Sequence, residues 1–90
     1  MFKIRNYING ELKAPISGNY IDNYEPAKAE VYSLIPRSDE ADLAKAVEAA
    51  EAAFPIWSRT PREVRSEYLL KISQRIEERL DELAKAESRD

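Results

Sequence analysis

Residues 38–63 read SDEADLAKAVEAAEAAFPIWSRTPRE, and they divide the chain in two. Before them, short apolar runs alternate with polar residues and turn signals. After them, apolar residues return every three or four positions. Ser38 and Asp39 each carry an oxygen that can accept a hydrogen bond from the free backbone N–H groups of a helix start. Asp39, Glu40 and Asp42 then complement the positive end of the helix dipole. Leu43, Ala46, Val47, Ala50, Ala53 and Phe54 follow at helical spacing. Pro55 is expected to stop this helix, which is therefore assigned to residues 38–55. Alanines on its other sides (Ala44, Ala49, Ala52) suit close packing, against a sheet or in a dimer seam, although the run is too short for a coiled coil. Phe54 and Trp57 flank Pro55 and are read as anchors of an inter-helix corner rather than as a ligand stack.

Thr60 and Glu63 fit a capping box, with Pro61 at the first helical position, where its missing N–H costs nothing. The stripe Leu69, Ile72, Ile76, Leu80 and Leu83, flanked by Val64, Tyr68 and Ala84, predicts one long helix over residues 60–90. Glu67 with Lys71 and Asp81 with Lys85 are expected to pair on its wet face. The last stretch, DELAKAESRD, shows no Gly, Asn or Pro stop signal.

Upstream, residues 1–37 read as β-hairpins. Asn9-Gly10 between KIRNYI and ELKAPIS favours a tight turn, because both residues accept positive φ. Pro15 weakens the returning strand. YIDNY and VYSLI, joined by EPAKAE, predict a second hairpin over residues 20–35. Tyr20, Tyr24 and Tyr32 fall on this hairpin and are expected to be buried by a larger protein. The fold class is α+β: hairpins, then two helices.

The chain has 90 residues, 14 basic and 17 acidic, no Cys and no His. Interleaved charges of net −3 leave no basic face for nucleic acid. No apolar run reaches the length of a membrane span, and the first ten residues lack the apolar segment of a signal peptide, so a cytoplasmic location is expected. Without Cys or His, the chain lacks a thiolate nucleophile and the usual general base near neutral pH. Two glycines, Gly10 and Gly18, cannot build a phosphate-binding loop. The many carboxylates are read as solvated helix faces rather than as a catalytic pair.

Five stretches in order, YINGEL (7–12), NYEPAKAEVY (23–32), DLAKAVEAAEAAFPIWS (42–58), REVRSEYLLKISQRIEERLDELAKAES (62–88) and RD (89–90), resemble the amino-terminal segment of the aldehyde dehydrogenase superfamily. Within it they look most like the branch acting on muconic-type semialdehydes. The resemblance covers essentially the whole chain. Ala29 departs from it, standing where the family has Gly in a hairpin turn, so that turn is expected to be strained or of another type. PREVRS also separates the Glu and Arg that the family places side by side.

The resemblance implies a parent enzyme that oxidises an aldehyde to a carboxylic acid with NAD or NADP and assembles as a homo-oligomer. In that parent, this segment would lead a Rossmann-like cofactor-binding domain. It also implies that the helix ends beyond Asp90, at a Gly-Lys pair. The family's catalytic and cofactor-binding residues lie later in its chain, so none is expected here, and residues 1–90 alone are expected to be inactive. Many members hold a structural monovalent cation. Its ligands would map to backbone carbonyls of Asn23 and Tyr24 and to the carboxylate of Asp90. The alternative is a free-standing interaction or scaffolding module without catalysis.

Overall fold

The structure, a computed structural model, describes residues 1–90. Five strands precede three helices: β1 (Phe2–Lys3), β2 (Asn6–Ile8), β3 (Glu11–Lys13), β4 (Tyr20–Glu25), β5 (Glu30–Pro36), α1 (Glu40–Ser58), α2 (Arg62–Glu78) and α3 (Leu80–Arg89). β2 and β3 form one antiparallel pair, and β1, β5 and β4 form a three-stranded sheet in that order. The α+β class holds.

Both expected hairpins form. Asn9 (φ 53°) and Gly10 (φ 79°) turn between β2 and β3, the left-handed pair that matches strand twist. β3 stops at Lys13, two residues before Pro15. β4 and β5 pair from Tyr20 opposite Pro36 to Glu25 opposite Glu30. Ala29 sits at φ 55° in their turn, with its N–H 2.8 Å from the Glu25 carbonyl. An alanine thus holds the left-handed position that glycine takes freely. β1 adds a parallel pairing to β5, Phe2 opposite Ser33. Two residues are too few to leave a periodic signal in the sequence.

The helices differ from their expected bounds. α1 runs through Pro55 to Ser58 instead of stopping before it. Proline leaves the Glu51 carbonyl without its helical donor, while the carbonyls of the last turn find theirs. Arg59 N–H reaches Ile56 and Trp57 carbonyls, Ser58 Oγ reaches Pro55 O at 3.2 Å, and Thr60 Oγ1 reaches Ile56 O at 3.0 Å. Thr60 therefore closes α1 and does not cap α2, whose N-cap is Pro61 without a side-chain bond. The predicted single helix over 60–90 is two helices, interrupted at Arg79 (φ −117°, ψ 25°). Hydrogen bonds still bridge the interruption, from Arg79 N–H to Arg75 O and from Leu83 N–H to Arg79 O. No Gly or Pro marks it, which is why periodicity alone ran across it. The charge pairs are Arg75–Glu78 and Arg79–Glu82 rather than Glu67–Lys71 and Asp81–Lys85. All are exposed and contribute little.

No hydrophobic side chain is buried; the buried residues are Pro15, Ser33 and Asp42. Phe54 and Trp57 remain 66% and 48% exposed, so the α1–α2 corner has no core to anchor. Trp57 meets Tyr68 with ring centroids 5.8 Å apart. The body measures 46 × 35 × 15 Å, with a radius of gyration of 16.7 Å. A compact chain of this length would have about 12 Å.

Candidate functional site

The polar side chains that converge from distant parts of the sequence do so at an irregularity in the β4–β5 ladder. Asn23 pairs with Ser33 and Tyr24 with Val31, which leaves Tyr32 as an extra residue on β5. A bulge of this kind re-aims side chains, bringing neighbours that would alternate onto one side. Tyr32 and Ser33 accordingly both reach Asn23. The Asn23 side-chain amide shares its two hydrogens among Tyr32 OH and Ser33 Oγ, both at 3.1 Å, and Asp90 Oδ1 at 2.7 Å. Tyr32 OH donates to the same Asp90 oxygen at 2.8 Å.

Charge completes the cluster. The Arg89 guanidinium lies 4.7 Å from the centre of the Tyr32 ring, an attractive cation–π placement. Its Nε is 3.8 Å from Glu25 Oε1. Hydrogen bonds from Asn23 and Tyr32 hold the Asp90 carboxyl below the usual aspartate range. The Tyr32 hydroxyl is pushed up, first by its bond to that carboxylate. Asp90 is thus an ionised acceptor facing two donors.

The cation expected from the resemblance was to use backbone carbonyls of Asn23 and Tyr24 with Asp90. The structure brings the Asp90 carboxylate to the side chain of Asn23. What points at Asp90 Oδ1 is an N–H and an O–H. A hard cation needs oxygen lone pairs, several of them on one centre. Nor do three or more acidic side chains gather anywhere as a metal-holding group. Asp90 Oδ1 is engaged by two hydrogen-bond donors.

A second polar tie fixes the start of α1. Asp42 is 5% exposed. Its Oδ1 accepts from Ile16 N–H at 2.9 Å and its Oδ2 from Asp39 N–H at 3.1 Å. Asp39 in turn accepts from Ala41 and Asp42 N–H, so the two form a reciprocal capping box. Of the two cap candidates in the sequence, Ser38 and Asp39, the structure uses Asp39. The bond to Ile16, 26 residues away, carries no local signal. Alongside it, Asn6 Nδ2 donates to Ser38 Oγ at 2.7 Å and ties β2 to the same helix start.

No constellation of acid, base and nucleophile is present. Gly10 and Gly18 both lie in turns with open space where a Cβ would stand, so neither lets a backbone cradle approach a pyrophosphate, and the chain's residues do not fit a dinucleotide. No helix is long and apolar enough to cross a membrane.

The sequence profile of the aldehyde dehydrogenase family matches residues 14–90. The chain is 44% identical to a 2-aminomuconic semialdehyde dehydrogenase of Bos taurus over 91 aligned positions, covering 100% of this chain and 18% of that protein. It is 44% identical to an acetaldehyde dehydrogenase of Pseudomonas aeruginosa, covering 94% and 17%. It is 46% identical to a fluoroacetaldehyde dehydrogenase of Streptantibioticus cattleyicolor, covering 91% and 16%. The chain thus spans less than a fifth of the length of these relatives. With a family match over residues 14–90 and such relatives, this chain belongs to the aldehyde dehydrogenase family.

Proposed function

We propose that residues 1–90 are the amino-terminal part of an NAD(P)-dependent aldehyde dehydrogenase, the leading portion of its Rossmann-like cofactor-binding domain. The observation that carries this reading is surface. The chain exposes 7735 Å². A folded monomer of 10.3 kDa would expose about 5,400 Å². The excess, about 2,300 Å², is of the size buried in obligate interfaces. It is also apolar: Leu43, Val47, Phe54, Leu69, Ile72 and Ile76 stand exposed along the helices. The rest of the enzyme would cover them.

On this reading the segment does no chemistry. NAD(P)+ supplies a hydride acceptor in the complete enzyme, and the thiolate that would attack an aldehyde is not among these residues, which include no Cys. Their work is to shape and cover one side of the cofactor domain, in a homo-oligomeric cytoplasmic enzyme. The similarity to 2-aminomuconic semialdehyde dehydrogenases favours an unsaturated semialdehyde acid as substrate.

The isolated chain separates this role from that of a free-standing module. It should show no cooperative thermal transition and form no NADH with an aldehyde and NAD+. A sharp two-state unfolding of residues 1–90 would favour the module, and turnover would overturn the inactive-segment reading.

A further inference from the structure

The geometry at the bulge points to a device that uses no metal. We propose that Asn23, Tyr32, Arg89 and Asp90 form a hydrogen-bonded clamp, independent of any cation, that docks α3 onto β4 and β5.

The placement of α3 makes the clamp necessary. Between α3 and the sheet lies an open cleft of about 580 Å³, lined by Phe2, Ile4 and Leu83 and closed at one end by Tyr32, Arg89 and Asp90. At the junction with α2, Arg79 departs from helical geometry, with hydrogen bonds spanning it on both sides. What fixes the far end of α3 to the sheet is the pair Arg89–Asp90. Asp90 accepts from Asn23 at 2.7 Å and from Tyr32 at 2.8 Å. Arg89 covers the Tyr32 ring and approaches Glu25.

The same contacts replace an ion. The negative charge of Asp90 is met by two hydrogens on one oxygen. An ion at that oxygen would face those hydrogens, which carry partial charge of its own sign. Arg89 supplies the only full positive charge paired at the cluster, and it neutralises Glu25. The bulge is what makes the substitution work. Without the extra residue, Tyr32 and Ser33 would point to opposite faces, and only one donor partner would reach Asn23 and Asp90 together.

Amide hydrogen exchange of the complete enzyme tests the clamp independently of any catalytic role, since it reads α3 locally and needs no turnover. Tyr32→Phe keeps the ring beneath Arg89 and removes one donor; Asn23→Ala removes the other. Each should speed exchange of the Leu83–Glu87 amides roughly threefold to tenfold, as expected for losing one charge-assisted hydrogen bond near a surface. Ala44–Ala50 in α1 should stay within about twofold, because distant sites act independently. Asp90→Ala combined with Tyr32→Phe should do no more than Asp90→Ala alone, since Asp90→Ala already removes the acceptor of the Tyr32 bond.

Exchanging sodium for tetramethylammonium at equal ionic strength should leave α3 exchange unchanged. A sodium-saturable slowing of α3 exchange would show an ion at the site and overturn the metal-free clamp. Additive effects of the two substitutions, no effect of any of them, or α3 amides exchanging at unstructured rates in the parent chain would each overturn the clamp itself.

Discussion

At the β4–β5 bulge, side chains from residues 23, 32, 33 and 90 meet within 3.1 Å, and no buried side-chain polar atom in the chain lacks a partner. Along α1 and α2, by contrast, Leu43, Phe54, Leu69 and Ile72 are each more than half exposed. The two regions separate what specifies a conformation from what stabilises it. Hydrogen bonds are directional and fix which atoms meet, but each exchanges a bond to water for a bond to protein and gains little net. Apolar burial is non-directional and supplies most of the folding free energy. In this chain the first is complete at the bulge and the second is missing along the helices.

The difference can be broken most strongly on the helical side. Ile76 is 48% exposed here. Ile76→Ala should leave the non-cooperative denaturant profile of the 90-residue chain unchanged, as for an ordinary surface change. In the complete enzyme, with that face covered, it should cost about 2–4 kcal/mol, read as a lower denaturant midpoint at unchanged slope. A loss under about 0.5 kcal/mol in the complete enzyme would mean that the face stays wet, and the proposed covering would fail.

The same division explains how much of the molecule was legible beforehand. Asn9-Gly10 and the alternation of YIDNY with VYSLI are local signals, and both hairpins formed where they stood. The helical stripe of α2 was equally plain. The interruption at Arg79 was not, because no residue near it breaks a helix by itself. Thr60 and Glu63 satisfied a capping pattern, yet the Thr60 hydroxyl found a closer acceptor in the preceding helix. At the candidate site, Asn23 and Asp90 came from the family resemblance. Tyr32 did not, because its role depends on a one-residue shift in register. Pairing across 58 residues has no period to read.

A smaller effect is expected in the β4–β5 turn. Ala29 pays for its left-handed φ of 55° with a clash between Cβ and backbone of about 1 kcal/mol. Ala29→Gly removes that strain, although glycine also loosens the unfolded chain. The net gain should be about 0.5 kcal/mol, visible as slower amide exchange at Asp22 and Val31 with α1 unchanged. A faster exchange would show that the turn does not hold Ala29 under strain. This change sharpens the contrast with the helices, since it acts on a region whose contacts are already complete within the chain.

The smallest effect is confined to one bond and follows pH. Backbone hydrogen bonds, from Ile16 first and Asp39 second, lower the Asp42 carboxyl below its ordinary value. A carboxylate whose folded pKa is depressed contributes stability above its unfolded pKa, and loses it as pH falls through the folded one. The tie between the 14–18 loop and α1 should therefore be whole at neutral pH and loosen only under acid. The Ile16 amide proton, which donates directly to Asp42 Oδ1, is the specific reporter. Its chemical shift should move with a midpoint below the ordinary aspartate value and stay flat in Asp42→Asn. A midpoint at or above that value would mean that the N–H groups of Ile16 and Asp39 do not favour the ionised form. The helix start would then be held by shape rather than charge, as uncommitted as the apolar face that follows it along α1.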